Sequence, residues 1–471
     1  MVTWSKQTEE ETGNMLRIDK IIETDGTFYR RLVNIAIPVI LQSLITTGVN
    51  LVDNIMLGQL TETALSAATQ ANQFIGLFTF AIMGISMGAS VLTSRYWGAK
   101  DTASLRKVVT IALRFGLLLG LAFTLADILF SPQIMRLYFQ SGETAGIAGG
   151  IVYLHWSAPA FGLMAVSFVL TNIMRSAGLT RVPLIASVSA FGVNIGANYV
   201  LIFGKLGFPA MGVAGAALGT VIARVAETGI ILCFFLRDKT IFYRLRHLRE
   251  SCGDMVGEFL RISVPVMLSD SLLGLGENAL AIIMGQIGAG FVTANSITMI
   301  VQRISTVFIS GLSFSGCFLT GQVLGEGRVE AAKKQGYTYL LLGLGVGVLA
   351  AGLIQLFSGF VIDAYKITEE TKAIARQLMN AVCVIVIFRA TNSILTKGVL
   401  RGGGDTRFLL VADMSTMWLV AVPLGAIAGL WLCLPAFWVY LCLYADQVIK
   451  AVWCIFRLRS GKWIKKIKGV V

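Results

Sequence analysis

The sequence has few charged residues for its length. Only 14% of its 471 residues are Asp, Glu, Lys or Arg, whereas 55% are apolar and the mean hydropathy is +0.75. Soluble domains carry about 25% charged residues, so this composition excludes an ordinary soluble enzyme. It also excludes intrinsic disorder, which requires low hydrophobicity.

Several enzyme motifs are missing as well. No two of the seven cysteines form a CxxC pair, and the two histidines, His155 and His247, lie far apart. Neither a zinc site nor a disulfide framework is therefore supported. No GxxxxGK[ST] motif occurs, which excludes a P-loop ATPase within this chain. We predict a protein that is not an enzyme and has no cofactor, with His155 packed and hydrogen-bonded and His247 solvated.

Long apolar stretches are what the sequence does contain. A membrane-crossing helix needs about 20 apolar residues. Twelve stretches meet this length: 32–57, 69–94, 108–130, 148–172, 184–203, 213–236, 262–285, 292–323, 338–362, 377–396, 408–428 and 434–456. They predict an all-α, polytopic integral membrane protein.

The net charge of +13 has a simple source in this topology. Most of the 39 Lys and Arg lie in segments that share one side of the membrane with both termini, and few lie in the opposite loops. The positive-inside rule then predicts that both termini are cytoplasmic, in a plasma (bacterial inner) membrane. The basic tail 457–471 is expected to touch anionic lipid. We predict no nucleic-acid partner.

The two halves of the chain resemble each other. At a displacement of 227 residues, IPVILQSL (37–44) lies over VPVMLSDS (264–271), and 92–107 lies over 319–334 with four identities. At 226 residues, RSAGLTR (175–181) lies over RGGGDTR (401–407). Ordered matches at one offset indicate a duplication.

Because each half has an even number of predicted spans, both halves should insert in the same orientation. We therefore predict two parallel six-helix repeats with a central cleft. Pro38 and Pro265 occupy equivalent positions, where each is either a helix hinge or a simple first-turn residue. The predicted segments are a cytoplasmic N-terminal segment 1–31, an N-terminal bundle 32–236, a cytoplasmic linker 237–261, a C-terminal bundle 262–456 and the cytoplasmic tail 457–471.

Polar residues inside the first half predict a cation site. Asp53, in GVNLVDNIMLG, lies five residues before Gly58, and Asn198 lies six residues before Gly204. Asn194 shares a helix face with Asn198, and Thr220 lies about two turns into the sixth span. A carboxylate with amide and hydroxyl oxygens could bind Na⁺, or Asp53 could exchange a proton. The alternative is that these residues only tie helices together.

The repeat provides an internal control for this site. Asp53 falls on Leu280 in the second half, and Asn194 and Asn198 fall on Val420 and Leu424. Groups that both halves need for folding should appear twice, so the asymmetry favours a function.

The second half has polar residues of its own. Glu277 and Asp446 could form a second ion site, and acids here are expected to pair with arginines, since unpaired charges are costly in lipid. Arg224 and Glu227 should form a local pair on the sixth span. Asp413, near the end of its span, is expected to be solvated.

Taken in order, the motifs resemble those of the multidrug and toxic compound extrusion family, over roughly residues 30–460. The motifs are IPVILQSLITTGVNLVDNIMLG, GASVLTSRYWGAKD, MRSAGLTRVPL, NIGANYVLIF, GVAGAALGTVIAR and LRGGGDTR. The resemblance implies two six-helix bundles and the export of organic cations, as drugs and toxic compounds, in exchange for Na⁺ or H⁺. In one branch a first-helix Asp works with polar residues of the fifth and sixth helices, and Asp53, Asn194, Asn198 and Thr220 match that pattern by position. Some members have an acid where this chain has Asn198, so the choice between Na⁺ and H⁺ stays open.

A second branch of the family places its ion site in the second half, with an acid in the tenth helix. This chain has IFRATNSILTKGVLRG there, without an acid, so that version is expected to be absent or altered. The alternative function is a flippase for lipid-linked oligosaccharides, which shares the two-bundle layout. Its cationic cleft would need the arginines inside the spans, which are Arg114, Arg224, Arg303 and Arg389. We expect a monomeric exporter.

Overall fold

The structure is a computed structural model that describes residues 22–139, 143–363, 365 and 367–467, apart from the side chains of residues 304 and 305. Within these residues, ten helices are long and apolar enough to cross a membrane, and the number of spans is twelve if each of two bent helix pairs crosses as one span. The spans are α1 Gly26–Gly58, α2 Glu62–Gly98, α3 Thr102–Tyr138, α4 Thr144–Ser157 with Ala160–Ser176, α5 Arg181–Phe203, α6 Val213–Arg237, α7 Gly253–Ile287, α8 Ala289–Gly325, α9 Val329–Asp363, α10 Glu369–Leu400, α11 Thr406–Trp431, and α12 Ala436–Leu443 with Ala445–Arg459. The twelve predicted stretches coincide with these spans, so the predicted all-α membrane fold is confirmed.

Local sequence determines where several helices begin and end. The hydroxyl of Thr61 accepts a hydrogen bond from the Ala64 amide at 3.0 Å, and Asp101 accepts one from the Ser104 amide at 3.0 Å. These side chains satisfy amides that the first turns of α2 and α3 leave without helical partners. Helix α5 ends at Phe203 and is capped by Gly204, whose φ of +65° favours glycine.

Several spans are interrupted. The two parts of α4 meet at an angle of 55°, next to Pro159, and the two parts of α12 meet at 43°, next to Tyr444. Helices α10 and α11 contain π-helical turns, at Ile394–Leu400 in α10 and at Met417–Ala421 and Ile427–Trp431 in α11. Such turns free backbone groups from the regular helical ladder and are frequent at functional sites.

The chain forms two compact units. One is Ile37–Leu272, and the other contains Leu273–Val471 together with the described residues up to Ala36. The start of α1 packs on α9 in the second unit, where the rings of Phe28 and Tyr339 are 5.7 Å apart. The start of α7 packs in the first unit, where Phe259 stacks on Phe115 at 5.9 Å. Each repeat therefore shares its first helix between the two units.

Both prolines lie within continuous helices. Helix α1 runs through Pro38, two residues after the junction at Ala36, and α7 runs through Pro265. Each proline removes one backbone hydrogen bond from its helix. A hinge role for Pro38 and Pro265 stays a prediction.

The segment between α6 and α7 is folded onto the first unit. The guanidinium of Arg114 donates to the carbonyls of Leu248 at 2.7 Å and Glu250 at 2.7 Å. His247 is buried, and its Nδ1 accepts a hydrogen bond from the Arg244 amide at 2.8 Å. The expectation that His247 is solvated is wrong, because the basic segment packs inward here. His155 has the expected hydrogen bond, with Ser131 at 2.8 Å, but it is exposed, so the expectation that it is packed is wrong.

Candidate functional site: a carboxylate among amides

Asp53 meets Asn198 inside the unit Ile37–Leu272. The Nδ2 of Asn198 on α5 donates a hydrogen bond to Oδ1 of Asp53 on α1, with an N···O distance of 2.6 Å. Asp53 is only partly buried, whereas Asn198 is fully buried. A hydrogen bond to a carboxylate is shorter and stronger than one between neutral groups. The two helices are thus joined through the acid.

Asn194 extends this contact along α5. Its Oδ1 accepts a longer hydrogen bond from Asn198 Nδ2, at 3.4 Å, one helical turn away. The other amide atom of Asn198, Oδ1, is buried and has no partner among the described residues. It packs against Gly219 of α6, where a Cβ would overlap it. Glycine at this position is therefore what allows Asn198 to reach Asp53.

Thr220 lies beside the amides but is not bonded to Asp53 in this arrangement. Its hydroxyl donates to the Ala216 carbonyl of its own helix at 3.0 Å. Thr220 and Asn194 line one cavity of about 50 Å³, together with Asn50, Arg224 and Glu227. This volume holds a few waters or a small cation, and it is too small for a drug molecule.

The cluster also contains an aromatic residue that was not predicted from the sequence. Tyr153, on the first part of α4, is buried and lies within electrostatic range of Asp53 and beside Thr220. Its hydroxyl accepts a hydrogen bond from Asn72 Nδ2 of α2 at 3.5 Å. A tyrosine in an apolar helix has no sequence signal that separates this role from ordinary packing.

A second polar chain continues from the cavity. The Nη1 atom of Arg224 donates to Glu227 Oε2 at 2.6 Å, as predicted for a local pair. Ser187 donates to the other Glu227 oxygen at 3.2 Å and accepts from Gln42 Nε2 at 2.7 Å. Arg175 in turn donates to Gln42 Oε1. Polar side chains therefore extend from Asp53 along α1 over about 16 Å, the rise of the eleven residues back to Gln42.

Chemically, the cluster is suited to a small hard cation or to a proton. It combines one carboxylate, two amides and two hydroxyl groups, and oxygen ligands are those that hard cations prefer. Among the described residues, no group of three or more His, Cys, Asp or Glu could hold a transition metal.

Asp127 is another buried acid that the sequence analysis did not single out. It lies on α3, is fully buried, and neither of its oxygens has a hydrogen-bond partner among the described residues. An ionised carboxylate in such a place would cost several kcal/mol. Its only sequence signal is an isolated acid in the apolar run LAFTLADILF.

The residues predicted for a second ion site lie in the other unit. Glu277 Oε1 is 3.8 Å from Nη2 of Arg389, and the side chain of Glu277 is 65% exposed. Asp446 is fully buried and lies within electrostatic range of the same arginine. The expected pairing of acid with arginine is thus present at Glu277, while Asp446 has a closer cationic partner.

That partner is Lys450, which the sequence analysis did not single out. Lys450 Nζ lies 2.9 Å from Asp413 Oδ1 and 3.6 Å from Asp446 Oδ2. Asp413 is 5% exposed, so the expectation that it is solvated is wrong. The ammonium group on α12 draws this carboxylate of α11 into the interior of the unit.

Together these features define the class of the protein: a polytopic helical membrane protein with polar groups buried among its spans, as in transporters. A family model described as MatE matches the chain twice, over residues 38–200 and 265–427. The two matches are displaced by the same 227 residues that relate the halves of the sequence, which confirms the duplication. The chain belongs to the MatE family of membrane transporters, which are not enzymes.

Individual relatives agree with this assignment. The chain is 24% identical over 416 residues to an uncharacterized transporter, YisQ, of Bacillus subtilis, covering 88% of this chain and 90% of the relative. It is 25% identical over 448 residues to a probable multidrug resistance protein, NorM, of Thermotoga maritima, covering 93% of each. A solved outward-facing multidrug resistance MATE transporter is similar in fold, with a TM-score of 0.80, 21% identity and coverage of 92% of this chain and 96% of that one.

Proposed function

We propose that this protein is a cation-coupled antiporter that exports organic, mostly cationic drugs and toxic compounds, with Na⁺ or H⁺ moving inward. The observation that carries the proposal is the 2.6 Å hydrogen bond from Asn198 to Asp53, beside a small cavity in an apolar helix unit. An intramembrane acid is by default a functional group, because an unpaired charge there is costly. The names of the multidrug resistance relatives support the substrate class.

In this mechanism Asp53 binds the inward-moving cation. Asn194, Asn198 and Thr220 supply neutral oxygens around it if the ion is Na⁺, and they orient the carboxyl if it is a proton. Occupancy of Asp53 then biases the bend of α1, for which Pro38 is the proposed hinge, with Pro265 in the equivalent helix. Cation and drug must compete or favour opposite states, since without a coupling free energy no exchange results.

The remaining expectations concern the setting. We propose a monomer in a plasma membrane, with both termini cytoplasmic and with the basic tail 457–471 against anionic lipid. Organic cations and lipid are then its partners, and nucleic acid is not.

The test is transport by the full chain in proteoliposomes. Uptake of a fluorescent organic cation is followed under an imposed Na⁺ gradient and, separately, under an imposed H⁺ gradient. Asp53→Asn keeps the shape but removes the charge, so we expect at least a tenfold loss of gradient-driven transport. Glu62→Gln, at the exposed start of α2, is the matched control and should transport normally.

The outcomes of this assay distinguish the coupling ion, the role of Asp53 and the flippase alternative. Transport driven by one gradient and lost in Asp53→Asn names the ion and supports the site. Transport that survives Asp53→Asn refutes the role of Asp53. If no organic cation moves under either gradient but a lipid-linked oligosaccharide is translocated, the flippase alternative is correct. Against that alternative, Arg114 is bound to the carbonyls of Leu248 and Glu250, and Arg224 is paired with Glu227.

A further inference from the structure

The segment between α6 and α7 presents a cluster of positive charge on its outer side. Residues 237–250, here called the basic segment, contain five Lys and Arg but only two acids, Asp238 and Glu250. The five cations are exposed, and none forms a salt bridge with a residue that the structure describes; they are Arg237, Lys239, Arg244, Arg246 and Arg249. With His247 neutral, the basic segment has a formal charge of +3, which favours an anionic partner.

The inner side of the basic segment fixes it against α3. Ile241, Tyr243 and His247 are at most 3% exposed. The hydroxyls of Tyr243 and Thr110 are hydrogen-bonded at 3.0 Å, and Thr110 also donates to the His247 carbonyl at 3.2 Å. Arg114 donates to two further carbonyls of the segment. The cations are therefore held in place before any partner binds, which lowers the entropic cost of binding.

These contacts place the basic segment at the level of the membrane surface. Thr110 and Arg114 lie near the start of the apolar stretch 108–130 of α3, about 3 and 9 Å along the helix from Val108. A bilayer about 40–45 Å thick has a hydrocarbon core of about 30 Å, so its headgroup layers are of similar depth. The basic segment thus lies where hydrocarbon gives way to lipid headgroups.

Two apolar side chains stand among the exposed cations. Phe242 is 46% exposed and Leu245 is 64% exposed. Phe242 has a φ of +53°, a left-handed conformation that favours glycine and is unfavourable for a bulky residue. The guanidinium of Arg244 lies over its ring, 4.9 Å from the centroid. The backbone therefore does not account for an aromatic residue here, whereas aromatic and basic side chains together are typical of segments at a membrane interface.

We propose that the basic segment is a binding site for anionic lipids. Arg244, Arg246 and Arg249 contact the headgroup phosphates, because a guanidinium can form paired hydrogen bonds with phosphate oxygens. Phe242 and Leu245 insert between the lipids. Zwitterionic lipids bind more weakly, since their ammonium group cancels the phosphate charge. The site is separate from the basic C-terminal tail, and the proposal does not depend on drug export or on the coupling ion.

The test is hydrogen–deuterium exchange of the full chain, measured by mass spectrometry in phosphatidylcholine nanodiscs with or without phosphatidylglycerol. We expect amides of the basic segment to exchange at least about fivefold more slowly with phosphatidylglycerol, because a ligand of the folded segment opposes its opening. Arg244→Gln/Arg246→Gln/Arg249→Gln should lose this difference, and Lys at the same three positions should keep it. Phe242→Gly suits the backbone and keeps every cation, and its difference should be smaller.

The matched control removes three exposed cations from other parts of the chain. Arg181, Lys397 and Arg407 lie near the ends of α5, α10 and α11. Arg181→Gln/Lys397→Gln/Arg407→Gln should keep the lipid-dependent protection of the basic segment. Loss of protection in this control would mean that total charge, and not the basic segment, attracts the lipid, and the proposal would be wrong.

Three further results would overturn the proposal. The first is equal exchange with and without phosphatidylglycerol, or a difference that survives in the triple Gln variant. The second is equal protection by soluble glycerol 3-phosphate, which would show that the site takes a free phosphate compound. The third is protection without phosphatidylglycerol that disappears in Glu9→Gln/Glu10→Gln/Glu11→Gln, which would make the N-terminal segment the occupant. If the triple Gln variant does not fold, Phe242→Gly and the lipid comparison still decide.

Discussion

Two buried acids, Asp53 and Asp446, are held by different kinds of partner. Asp53 receives a hydrogen bond from a neutral amide, Asn198, so its charge stays available for a cation. Asp446 lies beside the ammonium of Lys450, which Asp413 shares. An amide stabilises a carboxylate without cancelling its charge, whereas an ammonium group forms an ion pair with it.

The close contact between Gly219 and Asn198 is expected to be necessary for the hydrogen bond to Asp53. In Gly219→Ala the new Cβ would overlap Asn198 Oδ1, so the amide must rotate and its bond to Asp53 is lost. A hydrogen bond to a charged group contributes about 1.5–3 kcal/mol. If Asp53 binds the coupling ion, we expect roughly tenfold or more weaker apparent cation affinity in transport assays.

Gly229→Ala is the matched control on the same helix. A Cβ at Gly229 has no neighbour within 4 Å, so this variant should keep the cation affinity of the unmodified protein. Equal affinity in the two variants would mean that the Asn198–Asp53 bond does not contribute to cation binding.

The sequence could predict that Asp53 and Asn198 meet, but not how the rest of the cluster is arranged. Counting residues back from Gly58 and Gly204 places the two side chains at one depth, because both glycines end their helices. Depth does not determine the rotation of a helix about its axis. Spans that are apolar on all sides have a weak periodic signal, which is why Tyr153 and the links from Glu227 through Ser187 to Gln42 were not predicted.

Among the helices, the contact between α2 and α7 depends on glycine. A Cβ at Gly88 would lie 2.6 Å from Ser263 Cα, a backbone atom that cannot move aside alone. Overpacking of this kind costs about 1–3 kcal/mol. We therefore expect Gly88→Ala to lower the thermal midpoint of the purified protein in detergent, measured by intrinsic fluorescence.

Gly76→Ala provides the control for this prediction. Gly76 lies on the same helix with open space around it, and alanine favours a helix over glycine by about 1 kcal/mol. Its thermal midpoint should be unchanged or higher. If Gly88→Ala melts like Gly76→Ala, the close approach of α2 and α7 is not rigid.

The interruptions of the helices show where sequence reasoning reaches its limit. The bend in α4 has a visible cause in Pro159, which disfavours continuation of the helix from the preceding residue. The break in α12 lies at Tyr444, with neither proline nor glycine within five residues on either side. Tertiary contacts must therefore maintain it, and those contacts include the charges of Asp446 and Lys450.

Across the whole chain, the duplication conserves the backbone pattern but not the polar residues. The family model matches both halves at one displacement, yet Asp53 has Leu280 as its counterpart and Asp446 lies in a part of the second repeat beyond the matched residues. The compact units also exchange the starts of α1 and α7. Sequence symmetry therefore predicts the fold well and the sites poorly, because each half has diverged in its interior polar groups.

Whether the bent helix α4 crosses the membrane determines the topology of the loops that follow it. The positions of the two termini alone do not test this. If α4 crosses the membrane, six spans precede the segment after Arg237, and that segment faces the same side as the N-terminus. If α4 only enters and returns, five spans precede it, and it faces the opposite side. The many Lys and Arg of 237–249 favour the cytoplasmic side.

We expect an alkaline phosphatase inserted after Asp238 to be inactive, because this enzyme needs disulfides that form only outside the cytoplasm. The same insertion after Gly207, between α5 and α6, should be active. Activity at Asp238 combined with inactivity at Gly207 would show that α4 does not cross, and the spans of the first half would number five.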